Sequence, residues 1–287
     1  MNDFYKFGLI GQNVSYSKSA DIFKAILELK GLDGSFENFD LDSENGFDEQ
    51  FKSLMTKEIC GVSVTIPHKK RVIPLLNDIS AVAEALEAVN SISVENGILH
   101  GHNTDIFGFS LPLRSLSQKL KHGRALIIGC GGSAKAAVYS LYTDYEVSEF
   151  CIIGRSSDKL QQFKTSMKEP LKNSHIETAA IAECLDELSD DFSIVVNCTP
   201  LGGWNYRDIL PVPKNFDWGI TRIYYDLNYN HGNLAVRKAL DNNILALDGS
   251  QMLVGQAVRS FDIWTGQTVE FDAVYNKVFD KTKQAVN

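Results

Sequence analysis

Apolar residues along this chain alternate between two rhythms, short continuous runs and stretches spaced three and four apart. That alternation predicts strands interleaved with helices. In the first third, Phe7–Ile10 is a strand candidate ended by Gly11. Ser19–Lys30 then places Ile22, Phe23, Ile26, Leu27 and Leu29 at helical spacing, with Ser19 as N-cap candidate and Gly31 just beyond the end. Glu37–Leu41 is a possible strand, Phe47–Met55 a helix, and Gly61–Thr65 a strand stopped by Pro67. Helical turns begin at Arg71, and Ala81–Glu87 reads as a helix. Ser91–Val94 and Ile98–Gly101 flank Asn96-Gly97, the pairing expected of a hairpin closed by a type I′ turn. A helix from about Phe107 to Leu120 is expected to connect this third to the rest of the chain.

Beyond it the pattern becomes repeated strand–helix units. Arg124–Ile128, Glu149–Ile153, Ile194–Asn197, Ile223–Leu227 and Ile244–Leu247 read as strands. Helices are predicted over about Ser133–Tyr142 and Lys159–Met167, and the end, from about Met252 to Lys283, is strongly helical. Strands alternating with helices of this length predict a parallel sheet covered on both faces. The expected fold class is α/β: two α/β domains, over 1–106 and 107–248, with C-terminal helices over 249–287 returning to the first.

Composition narrows the choice. At 287 residues, 44% hydrophobic and 22% charged, the chain has enough apolar material for a sizeable core. Its 28 basic against 36 acidic residues leave a net charge of −8, which offers no general footprint for nucleic acid or an anionic membrane. No apolar run approaches the roughly 20 residues that span a bilayer, and the first residues turn polar too soon for a signal peptide. Five cysteines, Cys60, Cys130, Cys151, Cys184 and Cys198, are an odd number without CxxC spacing, as expected of reduced thiols in a cytoplasmic protein. The six histidines are dispersed, and no metal site is expected.

The strongest local motif is Gly129-Cys130-Gly131-Gly132-Ser133-Ala134, a G-x-G-x-x-A run directly after a buried strand and opening a helix. The first glycine permits the tight turn, the second lets backbone N–H groups reach a pyrophosphate, and the small Ala134 lets helix and strand pack closely. The next strand ends in Arg155-Ser156, with Lys159 nearby, where an NAD site usually has an acidic residue. Charge-assisted hydrogen bonds from these groups suit a 2′-phosphate, so NADP is the expected cofactor. Asp158 reads as a helix cap.

In the first half, Pro67 breaks a buried strand and lifts His68-Lys69-Lys70-Arg71 off the sheet's end, where open α/β folds bind ligands. A lysine there can act as acid–base once its ammonium is desolvated or paired, although alone the run also reads as solvated charges opening a helix. Asn90-Ser91 and Asn103-Thr104-Asp105 add amides, hydroxyls and a carboxylate, residues equally at home in caps and turns.

Taken in order, these pieces resemble the shikimate dehydrogenase family. The likeness is carried by Ser17-Lys-Ser19, Val64-Thr65-Ile-Pro67-His-Lys69, Ala88-Val89-Asn90, Asn103-Thr104-Asp105-Ile-Phe-Gly108, the glycine turn, Asn197-Cys-Thr199-Pro200-Leu-Gly202, Gly249-Ser-Gln-Met252-Leu-Val-Gly-Gln256-Ala and Trp264-Thr265-Gly266. The resemblance spans essentially the whole chain, and it implies that 1–106 is a substrate-binding catalytic domain and 107–248 a Rossmann-like NADP domain. It implies reversible NADPH-dependent reduction of 3-dehydroshikimate to shikimate, a step of chorismate and aromatic amino-acid biosynthesis, in a monomer or homodimer. By motif position it implies Lys69 and Asp105 as the catalytic pair, and Ser17, Ser19, Thr65, Asn90, Tyr229 and Gln256 as substrate ligands. It also implies Gly129, Cys130, Gly131, Gly132, Ser133, Arg155, Ser156, Thr199, Leu227 and Gly249 along NADP. Tyr16, Ala20, Ser63, Ser91, Gly154, Gly203 and the stretch Asn230 to Asn233 depart from the residues usual in the family; Ser63, replacing an asparagine, bears on substrate preference. Alternatives are a quinate/shikimate-type enzyme, a methylene-folate dehydrogenase-like enzyme, and a regulatory dinucleotide-binding protein without catalysis.

Overall fold

The computed structural model describes residues 4–42, 46–181, 191–212, 216–230 and 232–279. The chain divides into two compact units, Met1–Gly108 with Leu253–Asn287, and Phe109–Met252.

The first unit is built on a mixed sheet. Its strands are β1 (Tyr5–Gly11), β2 (Gly34–Asp40), β3 (Gly61–Val64), β4 (Asp78–Ile79), β5 (Ser91–Glu95) and β6 (Ile98–His102), in the order β2-β1-β3-β5-β6-β4. β1 runs parallel to both β2 and β3, whereas β5 lies antiparallel to β3 and β6. The β5–β6 hairpin turns at Asn96 and Gly97, with φ of 52° and 79°, the two positive values a type I′ turn requires.

Helix α1 (Ser19–Lys30) packs one sheet face against the C-terminal helices α9 (Ser250–Thr265) and α10 (Phe271–Phe279). Phe7, Phe23, Phe261 and Trp264 form its aromatic centre. On the other face, Phe47, Phe51 and Leu54 of α2 (Phe47–Met55) and Ala83 of α3 (Ala81–Leu86) pack on Ile10, Val62, Val64 and Ile92. The returning helices therefore belong to the core of the first unit.

Trp264 lies directly on the backbone of β3. A Cβ at Gly61 would sit 2.0–2.6 Å from three indole ring atoms, while the indole N–H donates to Ser91 Oγ at 3.0 Å. Gly61→Ala must push the ring off this seat and break that bond. It is expected to cost about 1–3 kcal/mol of stability, read from the urea midpoint; an unchanged midpoint would contradict the packing.

The second unit holds β7 (Arg124–Ile128), β8 (Glu149–Gly154), β9 (His175–Ala180), β10 (Ile194–Asn197), β11 (Ile223–Asp226) and β12 (Leu245–Leu247). All pairs are parallel, in the order β12-β11-β10-β7-β8-β9. Counted from β7 that is 6-5-4-1-2-3, the doubly wound dinucleotide-binding order. The helices between strands include α6 (Gly132–Tyr145), α7 (Ser157–Met167) and α8 (Leu234–Asp241).

Several local expectations are corrected. The helix expected over Phe107–Leu120 is three pieces: α4 (Asp105–Ser110), a 3-10 segment (Leu111–Leu116) and α5 (Ser117–Leu120). Pro112 has no N–H to give the ladder, and its ring crowds the preceding turn. Ser19 is the first residue of α1, not its cap; the N-cap is Lys18, and Ser17 Oγ accepts the Ser19 N–H at 3.2 Å. Ser156, rather than Asp158, caps α7, its hydroxyl accepting from the Lys159 N–H, with Asp158 in the first turn. The terminal helix is interrupted after Thr265 at Gly266, which has φ 67°; residues 280–283 of that expectation lie outside the described residues. Cys60, Cys130, Cys151 and Cys198 form no disulfide among the described residues, and Cys184 lies outside them.

Candidate active site and nucleotide turn

β3 ends at Val64, the chain passes through a cis Ile66–Pro67 bond, and a turn carries Lys69 away from the sheet. The lysine's backbone is pinned where it lands, because its carbonyl accepts the Val89 N–H at 2.8 Å. Asn90, one residue on, receives its position from the sheet: its N–H donates to His102 O and its carbonyl accepts from Val64 N. Asp105 opens α4, and its own N–H is held by Asn103 Oδ1 at 3.1 Å.

These three side chains meet. Lys69 Nζ donates to Asp105 Oδ2 at 2.5 Å, and Asn90 Nδ2 donates to Asp105 Oδ1 at 2.9 Å. The lysine and aspartate side chains are only 15% and 7% exposed. Both carboxylate oxygens are thus occupied from different elements, which fixes the rotamer of the acid and, through it, the ammonium. The neighbouring Lys70 makes a contrast: it reaches Glu87 at 3.2 Å on the surface and is 74% exposed. Desolvation distinguishes two adjacent lysines of equal charge.

The network continues through Thr104 to Ser260, a residue that the sequence motifs do not single out. Thr104 N–H donates to Asn90 Oδ1 at 2.6 Å, and Thr104 Oγ1 lies 3.0 Å from Ser260 Oγ on α9. Gln256 is one turn before Ser260 on the same helix, with its amide donating to Leu253 O. Ser17 and Ser19 hydroxyls bond each other at 3.0 Å at the start of α1. Thr65 leaves β3 with its N–H on Ile10 O. Tyr229 belongs to the second unit, three residues past the end of β11. Ser63, on β3 two residues before Thr65, is buried and its hydroxyl has no hydrogen-bond partner among the described residues.

His68 is buried behind the lysine, stacked on Phe47 with Nε2 3.0 Å from Leu41 O. Burial holds its imidazole below the ordinary value of 6.5, and burial does the same to His102. Both rings are therefore neutral when folded at a pH where the unfolded chain already binds protons. Stability is full above pH 6.5 and falls as pH drops through the lowered folded values. The urea midpoint is expected to decline from pH 7 toward pH 5.5, less steeply in His68→Gln, whose amide does not titrate. Equal slopes in the two proteins would remove His68 from the account.

In the second unit, Gly129 adopts φ 106°, and a Cβ there would lie 3.0 Å from Thr199 Cγ2. The positive φ demands glycine, and the close approach leaves little room for a side chain. Gly131 is different. Its φ of −90° suits any residue, and an added Cβ would meet no protein atom within 4 Å. The fold does not need glycine at 131, and the space beside the turn there is open. Gly131 is also the N-cap of α6 and supplies no side-chain cap, so the first N–H groups beyond it, from Gly132 and Ser133, are available to an anion. Ala134 is wholly buried where helix meets strand.

Arg155 follows β8, exposed and without a carboxylate partner among the described residues, and Ser156 stands beside it. Cys130 is half-buried, and burial raises its thiol above the ordinary value despite Lys159 nearby. Gly249 is explained by packing, since a Cβ would lie 2.1 Å from Leu227 O. Anion-ready amides, a bare glycine and an unpaired guanidinium fit a dinucleotide bearing a 2′-phosphate.

Comparison with known proteins finds family models and relatives that together cover most of the chain. Residues 9–92 match the shikimate dehydrogenase substrate binding domain, and residues 249–279 the shikimate 5'-dehydrogenase C-terminal domain. Residues 125–201 match the saccharopine dehydrogenase NADP binding domain. The chain is 33% identical over 263 residues to the shikimate dehydrogenase (NADP(+)) of Clostridium botulinum, covering 91% of this chain and 96% of that one. The crystal structure of shikimate dehydrogenase from Aquifex aeolicus is similar with TM-score 0.82 at 27% identity, over 96% and 98% of the two chains. A shikimate dehydrogenase solved in complex with NADP+ is similar with TM-score 0.83 at 28% identity, over 97% and 96%.

Proposed function

Since this chain belongs to the shikimate dehydrogenase family, we propose that it is an NADP-dependent oxidoreductase catalysing the reversible reduction of 3-dehydroshikimate to shikimate. The observation that carries the chemistry is the desolvated Lys69–Asp105 pair at 2.5 Å.

When bound, NADPH supplies the hydride that a carbonyl carbon accepts. The protein must then manage the oxygen, which would otherwise become an alkoxide. Lys69 gives a proton from Nζ to that oxygen, and in the reverse direction its amine takes the hydroxyl proton. Asp105 holds the ammonium in place and balances its charge. Asn90 keeps the carboxylate from rotating by occupying its other oxygen. Ser17, Ser19, Thr65, Asn90, Gln256 and Tyr229 are the polar groups assigned to the hydroxyls and carboxylate of the substrate. The N–H groups at the start of α6 would hold the pyrophosphate, Arg155 and Ser156 would take the 2′-phosphate, and Thr199, Leu227 and Gly249 would complete the nucleotide contacts.

The purified protein is expected to oxidise shikimate with NADP at a higher kcat/KM than any other pairing of shikimate or quinate with NADP or NAD. Turnover of quinate with NAD as the best pairing would replace the proposed substrate, and no turnover with any pairing would remove the enzymatic reading.

A further inference from the structure

Asp226 ends β11 wholly buried, and no cation pairs with it among the described residues. Its carboxylate is filled by donors alone. Oδ1 accepts the Asn228 N–H at 2.9 Å and the Asn228 side-chain amide at 2.8 Å, while Oδ2 accepts the Asn197 amide at 3.0 Å and the Tyr224 hydroxyl at 2.9 Å. Burial raises its pKa, against the pull of these hydrogen bonds. A buried carboxylate without a counter-ion is costly, so its retention calls for a reason.

The two asparagines supply one. Asn197, the last residue of β10, accepts from Thr199 N at 3.0 Å and Thr199 Oγ1 at 2.7 Å, and donates to Leu201 O at 2.9 Å. Asn228 donates across to Thr199 O at 3.0 Å and Leu201 O at 3.1 Å, and its carbonyl accepts the Gly249 N–H at 2.9 Å. Leu227 N in turn donates to Asn197 O. Gly203 seals the contact, since a Cβ there would lie 2.4 Å from Asn228 Oδ1. The loops after β10 and β11 and the Gly249 turn are thus tied at the C-terminal end of the sheet, where open α/β folds bind ligands. The acceptor-only chemistry of a carboxylate is required at the hub. An amide at 226 would turn an NH2 toward groups that are themselves donors.

We propose that Asp226 is a positioning residue for the nucleotide: through Asn197 and Asn228 it holds Thr199, Leu227 and Gly249 in the shape that receives NADP. This rests on the assignment of those three residues to the nucleotide site. Arg155 makes no bond to this hub among the described residues.

The test measures NADP dissociation constants by titration, on protein shown folded by circular dichroism, alongside KM for NADP and for shikimate. Asp226→Asn and the milder Asn228→Ala are each expected to weaken NADP by about five- to tenfold, the loss of one or two ordinary hydrogen bonds. KM for NADP should change in parallel and by more than KM for shikimate, since of the substrate groups only Tyr229 shares the loop after β11. Tyr224→Phe removes a donor but neither loop tether, and should lower the unfolding temperature with NADP affinity unchanged. If Asp226→Asn fails to fold, Asn228→Ala, which keeps the carboxylate, decides. Folded variants that bind NADP like the unsubstituted protein would make the hub purely structural and overturn the proposal. An unsubstituted protein that binds no NADP would instead overturn the nucleotide assignment beneath it, and the proposal with it.

Discussion

Lys69→Met is expected to lower kcat by roughly 10²–10⁴-fold, the range for loss of a general acid–base, with NADP affinity nearly intact. Methionine keeps most of the aliphatic stem and loses the proton. Lys70→Met is the control, because Lys70 has equal charge one residue away but spends it on Glu87 at the surface. Asp105→Asn tests the partner: the amide keeps the shape, loses the charge, and cannot accept from Lys69 and Asn90 at both positions. It too should depress kcat. If the two act as one hydrogen-bonded unit, the double variant should be little worse than the worse single, since residues that work together are non-additive. Steady-state kcat for the four proteins decides it. Comparable losses at Lys69 and Lys70 would reduce the site to a basic patch, and multiplicative losses at Lys69 and Asp105 would separate their roles.

How far the fold is legible in the amino-acid pattern depends on which interactions are local. The Asn96-Gly97 hairpin and the Gly129 turn are legible because each depends on backbone dihedrals that few residues adopt, and the residues that adopt them stand in the sequence. Buried strands such as Arg124–Ile128 and Ile194–Asn197 are legible for a similar reason, being continuous apolar runs between breakers. By contrast, His175–Ala180 pairs with β8 at the sheet edge and buries little beyond Ile176, so its six residues carry no strand rhythm. Leu234–Asp241 is a two-turn helix whose start depends on Asn233 accepting two backbone N–H groups, a capping role that only the folded geometry displays.

The candidate site divides along the same line. Lys69 and Asp105 are 36 residues apart, and neither periodicity nor composition joins them. Family motifs point to both residues; only the fold puts Nζ on the carboxylate and shows Asn90, Thr104 and Ser260 arrayed behind it. Asp226 is hidden more thoroughly. An aspartate inside an apolar strand run reads as the strand's polar end, and its value lies in donors that come from Asn197 and Asn228 on two different loops. Side chains that act by holding other side chains leave no periodic trace.

Arg155→Ala is expected to weaken NADP by at least about tenfold while changing NAD affinity little, because a charge-assisted hydrogen bond contributes about 1.5–3 kcal/mol. The two nucleotides differ only by the 2′-phosphate, so the ratio of their dissociation constants isolates that group from the pyrophosphate contacts at the glycine turn. Arg155 is placed for it: exposed after β8, free of any carboxylate among the described residues, and preceding a helix whose first N–H groups favour anions. Ser156 uses its oxygen to accept from the Lys159 N–H, which leaves its hydroxyl proton available to a phosphate oxygen. Asp158 is the only acid in that first turn and lies three residues past Arg155, beyond the position where a carboxylate would bind a free ribose hydroxyl and select NAD. Because the guanidinium is exposed, its contribution belongs near the lower end of that range, and the preference for NADP should narrow as ionic strength rises. Titrating both nucleotides into both proteins at two salt concentrations supplies the check. Equal losses of NADP and NAD would place Arg155 in the support of the turn, and a preference insensitive to salt would assign the 2′-phosphate to other groups.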